Sequence, residues 1–254
     1  MSKQMQGYRG SLDLYYQVED SNGNFGEVFP AGNVTDFQII PDAEELEIIS
    51  TGNADYGQAA DTMIDAKPTK CSFSVNRFNI DTLANAFMGS YAARTASAGT
   101  VDAGDPEDVT AYSDGISRLN HIDISNLVIK DETDTTTYVL DTDYEIVDAK
   151  LGLIKVLSTG SISGGDTLHA SYSYAAESGY LLSGGTSSSR FLKMWGRGVN
   201  RFNNKESRVE IPRGSIKPNG NFSMVGNEAA TVGFDVTINV PTDGSAPFTI
   251  ITDA

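Results

Sequence analysis

Nucleophilic, acid–base and metal chemistry need particular side chains at particular spacings, and this chain offers few of them. Cys71 is the only cysteine, which excludes intrachain disulfides and zinc sites built from several cysteines. It lies in Lys70-Cys71-Ser72-Phe73-Ser74-Val75, where polar and apolar residues alternate, so a small buried core side chain is expected and not a nucleophile. The two histidines, His121 and His169, both fall in strand-like surroundings suited to lining a sheet. Gly160-Ser161-Ile162-Ser163-Gly164 has isoleucine where a nucleophile elbow has serine. Gly196-Arg197-Gly198 lacks the third glycine of a dinucleotide fingerprint. Asp141-Thr142-Asp143-Tyr144-Glu145 alternates carboxylates, but Ile146 stands where a calcium loop of the EF-hand kind has glycine. No catalytic residue, metal or cofactor is expected, and the chain reads as a non-enzyme. An acidic pair brought together by folding stays open as an alternative.

The elements that would position these residues follow from composition and periodicity. With 254 residues, 39% hydrophobic and 20% charged, the chain has enough apolar mass for one large all-β domain or two smaller ones. No stretch approaches the ~20 apolar residues of a membrane span. The start, MSKQMQGYRGSLDLYY, has no apolar h-region or small-residue cleavage site, so synthesis in a host cytoplasm is expected. The net charge of -16 and a pI near 4.4 repel phosphate and argue against specific duplex binding. The charge is uneven: residues 1–66 hold 12 acids and 2 bases, whereas residues 190–217 hold 8 bases and 2 acids. Either neighbouring strands within a subunit or contacts between ends of identical subunits would use that asymmetry.

Strict alternation marks most segments as half-buried strands. Leu12, Leu14, Tyr16 and Val18 alternate with Asp13, Tyr15, Gln17 and Glu19. A second run, Val34 to Ile40, is expected to end at Pro41, and a third covers Leu46 to Ser50. Residues 51–68 break the pattern and read as a long loop with the apolar anchors Tyr56, Met63 and Ile64, too long to be idle. A helix is expected over 79–89, with Asn79 as N-cap and Ile80, Leu83, Ala84, Phe87 and Met88 on one buried face. Ser90 to Asp114 reads as a linker or surface loop. The division expected is 1–110 as the first part of a core, 111–178 as an inserted β-module, and 179–254 as the rest of the core. The fold class is mainly β: a β-sandwich or barrel-like core with one short α-helix and a second small β-module.

The stretch GNVTDFQIIPDAEELEIISTGNADYGQAADTMIDAKPTKCSFSVNRFNIDTLANAFMG, residues 32–89, presents strand, strand, long loop, strand and short helix in that order. With YVLDTDYEIVDAKLGLIKVLSTGSISGGDTLHASYSY, residues 138–174, and the C-terminal strands, it resembles the tail tube proteins of long-tailed bacteriophages. The resemblance rests on element order over most of the chain. It implies a structural virion protein that self-assembles into hexameric rings, stacked head to tail as a conduit for DNA ejection. It implies edge-to-edge joining of neighbouring sheets, a long loop reaching adjacent subunits, and a lumen through which genomic DNA passes without specific binding. The implied partners are other copies of the chain and the tape measure, terminator and baseplate or tip proteins, with no membrane. Tyr56, Met63 and Ile64 become inter-subunit contacts, and Glu44, Glu45 and Glu47 a candidate acidic lumen or ring-contact surface. The inserted module would lie on the outer surface. A capsid decoration or baseplate protein is the alternative in the same class. A carbohydrate-binding β-sandwich using Tyr172, Tyr174, Tyr180 and Trp195 is the alternative in another.

Overall fold

The computed structural model describes residues 9–20, 22–241 and 243–252. The chain is mainly β. In order it forms β1 (Gly10–Val18), β2 (Phe29–Pro30), β3 (Asn33–Ile49), β4 (Ala59–Arg77), α1 (Ile80–Ala86), β5 (Ser90–Ala96), β6 (Gly99–Val101), β7 (Glu107–Thr110) and β8 (Ile116–Arg118). It continues with β9 (Ile124–Asp131), β10 (Tyr144–Asp148), β11 (Leu153–Val156), β12 (Thr167–Tyr174), β13 (Glu177–Ser183), β14 (Arg190–Asn200), β15 (Lys205–Asn219), β16 (Val232–Ile238) and β17 (Thr249–Thr252). The ladders of the eight-stranded sheet and of the sheets built on β12 and on β11 are antiparallel, and no sheet closes into a barrel among the described residues. No helix there is long and apolar enough to cross a membrane.

The chain divides into two compact units, one holding the described residues up to Tyr91 and from Leu182 onward, the other Ala92–Leu181. Residues 92–110, expected with the core or as linker, therefore belong to the second unit. Their Ala/Gly/Ser/Thr composition resembles a loop, but β6 and β7 pair with β12 residue by residue, and ladder hydrogen bonds hold weakly apolar segments that periodicity alone does not reveal.

The first unit is built on an eight-stranded sheet in the order β2-β1-β14-β15-β16-β4-β3, with β17 also paired to β15. Alternation turns Leu14, Tyr16, Cys71, Phe73, Leu192, Met194, Phe234 and Val236 onto one face, where all are buried. The Phe73 and Phe234 rings stack at 4.9 Å across paired strands, an offset aromatic contact that adds to burial. One stretch of chain serves both ends of the sheet: Phe29 and Pro30 pair with β1, and after Ala31-Gly32 the chain enters β3 at the far edge. The turn depends on Gly32, whose φ is +107° and where a Cβ would stand 1.8 Å from the Arg77 carbonyl oxygen.

α1 starts where expected, with Asn79 Oδ1 accepting the Thr82 N–H at 2.9 Å, but it ends at Ala86. Of the expected face, Ala84 is buried and Leu83 packs on the core, whereas Phe87 is exposed and Thr82 and Asn85 are buried instead. The cause is Tyr16, whose buried hydroxyl lies 3.0 Å from Thr82 Oγ1 and accepts from Asn85 Nδ2 at 3.3 Å. Arg190 then donates to Asn85 Oδ1 and to the Gly89 carbonyl. A buried hydroxyl needs such partners, and that need turns Thr82 and Asn85 inward beside Leu83 and Ala84.

The second unit carries a sheet of β6, β7, β9 and β12 and another of β10-β11-β8. Its own core comprises Ile129, Ile154, Val156, Leu168, Ala170 and Tyr172, among others.

Candidate functional site: an unpartnered β-arm

Two long strands, β3 and β4, pair from Asn33↔Arg77 out to Ile49↔Ala59. The expected loop over 51–68 is thus only partly a loop. Residues 59–68 are strand, and the reversal is the short turn between Ile49 and Ala59, in which Ser50 N–H donates to Gln58 O and Gly57 N–H donates to Ser50 O. The run of Ala, Asp and Thr in β4 has little strand propensity; it is extended because β3 supplies a ladder partner.

Pro41 does not end a strand either. The register shifts between Ile40↔Lys70 and Asp42↔Lys67, and both Pro41 and Pro68 fall within that shift. Proline cannot donate to a ladder and is tolerated at a bulge. The bulge divides the hairpin. Inside it, β4 lies between β3 and β16, and Cys71, Phe73 and Val75 are buried. Beyond it, β16 no longer accompanies β4, and every residue from Ala43 to Ile49 and from Ala59 to Pro68 is solvent-exposed, with Thr69 half-buried. The outer part is a two-stranded ribbon with both edges and both faces open.

The pairing sorts its side chains. Glu44, Leu46 and Ile48 oppose Asp65, Met63 and Asp61 on one face; Glu45 and Glu47 oppose Ile64 and Thr62 on the other. Met63 and Ile64, adjacent in sequence, therefore point in opposite directions, and Glu44 is separated from Glu45 and Glu47. Tyr56 in the turn is 77% exposed, Ile64 71% and Met63 55%. Residues 42–67 hold seven acids and a single base, Lys67. Lys67 Nζ is 2.7 Å from Glu44, and Lys70 is 3.7 Å from Asp42. Glu45 and Glu47 have no cationic partner among the described residues. Sequence reasoning placed all six site residues in one region but missed Leu46, Ile48 and Ile49 as exposed companions; their alternation with glutamates was the available signal.

The residues with chemical potential have structural partners instead. Cys71 is buried, and burial pushes its thiol up to about 12. His121 Nδ1 lies 2.8 Å from the Tyr172 hydroxyl, which donates to Glu107, and its ring stacks on Tyr174 at 3.8 Å. Burial first, then the Glu107 carboxylate, raises the Tyr172 hydroxyl. Tyr172 is buried, which removes it from any exposed aromatic platform. Trp195 has the Lys193 ammonium 5.0 Å from its ring centre. His169 sits between Asp108 at 3.4 Å and Asp134 at 3.1 Å. Asp143 accepts the Val139 and Ser161 N–H groups at 2.8 Å, which lower its carboxyl; it organises a turn. Among the described residues no group of three or more His, Cys, Asp or Glu side chains is placed to hold a metal ion.

A family profile described as "Protein of unknown function UCP028589" matches residues 10–248. The chain belongs to that family. No curated protein matches it. The matched span includes the whole arm, both its strands and its turn, together with every strand of the sheet that carries it except β17.

Proposed function

We propose that the protein is a structural virion protein that self-assembles into stacked rings forming a phage tail tube, the conduit for DNA ejection. The observation that carries the reading is the arm: a ribbon of this length exposing Leu46, Ile48, Ile49, Tyr56, Met63 and Ile64. A two-stranded hairpin without further strands is marginal in water, and long open edges invite pairing with other chains. Proteins keep such features when a partner covers them. In this reading another copy of the chain is that partner, and the sandwich or barrel-like character of the core is completed by edge-to-edge joining in a ring. Six copies per ring, and contacts with tape measure, terminator and baseplate proteins, come from the tail tube resemblance. Unit 2, with its own core, decorates the outside.

The test is electron microscopy of the full chain at high concentration beside a variant in which residues 43–66 are replaced by an Asn-Gly turn, which preserves the Asp42↔Lys67 pair. The expected result is rings or tubes for the natural chain and folded monomer for the variant. Tubes of normal dimensions from the trimmed variant would overturn the role of the arm.

A further inference from the structure

Opposite charges without partners within one chain are candidates for partners between chains. On one face of the arm Glu45 lies opposite Ile64 and Glu47 diagonal to it, and neither glutamate meets a cation among the described residues. The turn between β14 and β15 carries the converse pattern. Arg201 and Lys205 flank Phe202, which is 68% exposed, and among the described residues neither cation has an acidic partner. Glu206, the nearest acid in sequence, is engaged by Arg197 and Arg208. Arg9 joins the same rung: its carbonyl accepts the Arg201 N–H at 2.7 Å, and among the described residues it too has no acidic partner. The turn is set, with Asn204 N–H donating to Asn200 O at 2.8 Å and the Asn204 φ at +55°.

We infer that the Glu45–Ile64–Glu47 face of one copy docks on the Arg201–Phe202–Lys205 turn of a second copy of this chain, within one ring. The ring placement follows from the ladder registers. Thr237 pairs with Lys70 where the arm leaves the sheet, Ile238 pairs with Gly214, and β15 runs on from Gly214 to Lys205 in the direction the arm takes. Arm and turn thus lie at the same end of the sheet. Rotation about a ring axis keeps the ends of all copies level, so an arm meets its neighbour's turn; stacking by translation would bring it to the opposite end. Each side supplies one apolar residue beside two like charges, the arrangement that gives electrostatic steering around a small apolar contact.

This inference rests on the assembly reading, and the experiment separates the two. Sedimentation velocity of the full chain would be compared with Arg201→Glu/Lys205→Glu, with Glu45→Lys/Glu47→Lys, and with all four changes together; Arg118→Glu, an exposed cation of the second unit, is the control. The expected result is a roughly tenfold or greater rise in the concentration needed for assembly in each double variant, recovery when the four are combined, and no change in the control. A natural chain that stays monomeric under all conditions overturns the assembly reading and this contact with it. Assembly by the natural chain and both double variants alike overturns the contact alone, as does failure of the fourfold variant to recover. Oxidative cross-linking of Glu47→Cys/Phe202→Cys is independent of any folding defect in the charge variants. A ladder of linked copies is expected, and assembled protein without one overturns the contact.

Discussion

The two halves of the β3–β4 hairpin are made by the same pair of strands in one continuous ladder, yet they have opposite relations to the rest of the molecule. The inner half is a sheet member: Cys71, Phe73 and Val75 face Val236, Phe234 and Val232 and are buried. The outer half has the same backbone pairing and no third strand, and its apolar side chains stand in water. Backbone hydrogen bonding is therefore not what distinguishes them. Burial is, and burial begins only where β16 and the core lie alongside. A ladder makes a strand; a neighbour on its edge or face makes it stable.

The sharpest way to break this comparison is to cut the same kind of side chain from each half. Phe73→Ala removes a buried ring stacked on Phe234 and should cost about 3–5 kcal/mol in urea unfolding of the first unit. Next comes the network that turns α1. Asn85→Ala leaves the Tyr16 hydroxyl and the Arg190 guanidinium each short of a partner, and about 1–3 kcal/mol should be lost, read from the same denaturation curves. Ile64→Ser, in the outer half, should change monomer stability by less than about 0.5 kcal/mol while weakening assembly. A large loss of monomer stability from Ile64→Ser would show that the outer half is packed in the free subunit.

Acid titration sharpens the contrast between carboxylates that serve their own fold and those that do not. Thr133 and the Thr136 N–H bind Asp131 and pull its carboxyl down to about 2. A carboxyl depressed in the folded state contributes stability that is present above its ordinary value, near 3.8, and is lost as pH falls toward 2. Unfolding of the second unit, followed by tyrosine signals, should show a loss in that window that Asp131→Asn reduces. The smallest effect is a null one at Cys71: with the thiol raised by burial, thiol reagents should react only as fast as the chain unfolds.

Much of the architecture was legible along the chain. Leu12 to Val18 announces a strand by strict alternation, and the lone Cys71 reads as core from its neighbours. Asn79 marks the start of the helix because N-capping is local chemistry between residues three apart. The arm was legible as a place that had to do something, though not as a ribbon. Composition suggested a loop over 51–68 because Ala, Asp and Gly are poor strand formers, and Pro41 suggested a stop because proline is a poor ladder member. Both inferences treated a strand as a property of its own residues.

What the sequence by itself determined is whatever depends on near neighbours: the mainly β character, the N-cap, and the grouping of acids and exposed apolar residues between positions 42 and 67. Only the tertiary structure decided the rest. The bulge that accommodates Pro41 and Pro68 exists because β4 supplies an extra residue opposite β3. The helix face is chosen by a hydroxyl on β1, 66 positions away from its partner Thr82. Glu44 is parted from Glu45 and Glu47, and Met63 from Ile64, by the pleat of a ladder whose register no single strand contains. Each is set by groups far apart in the chain and close in space, and such pairings acquire their free energy only when the fold has brought both members together.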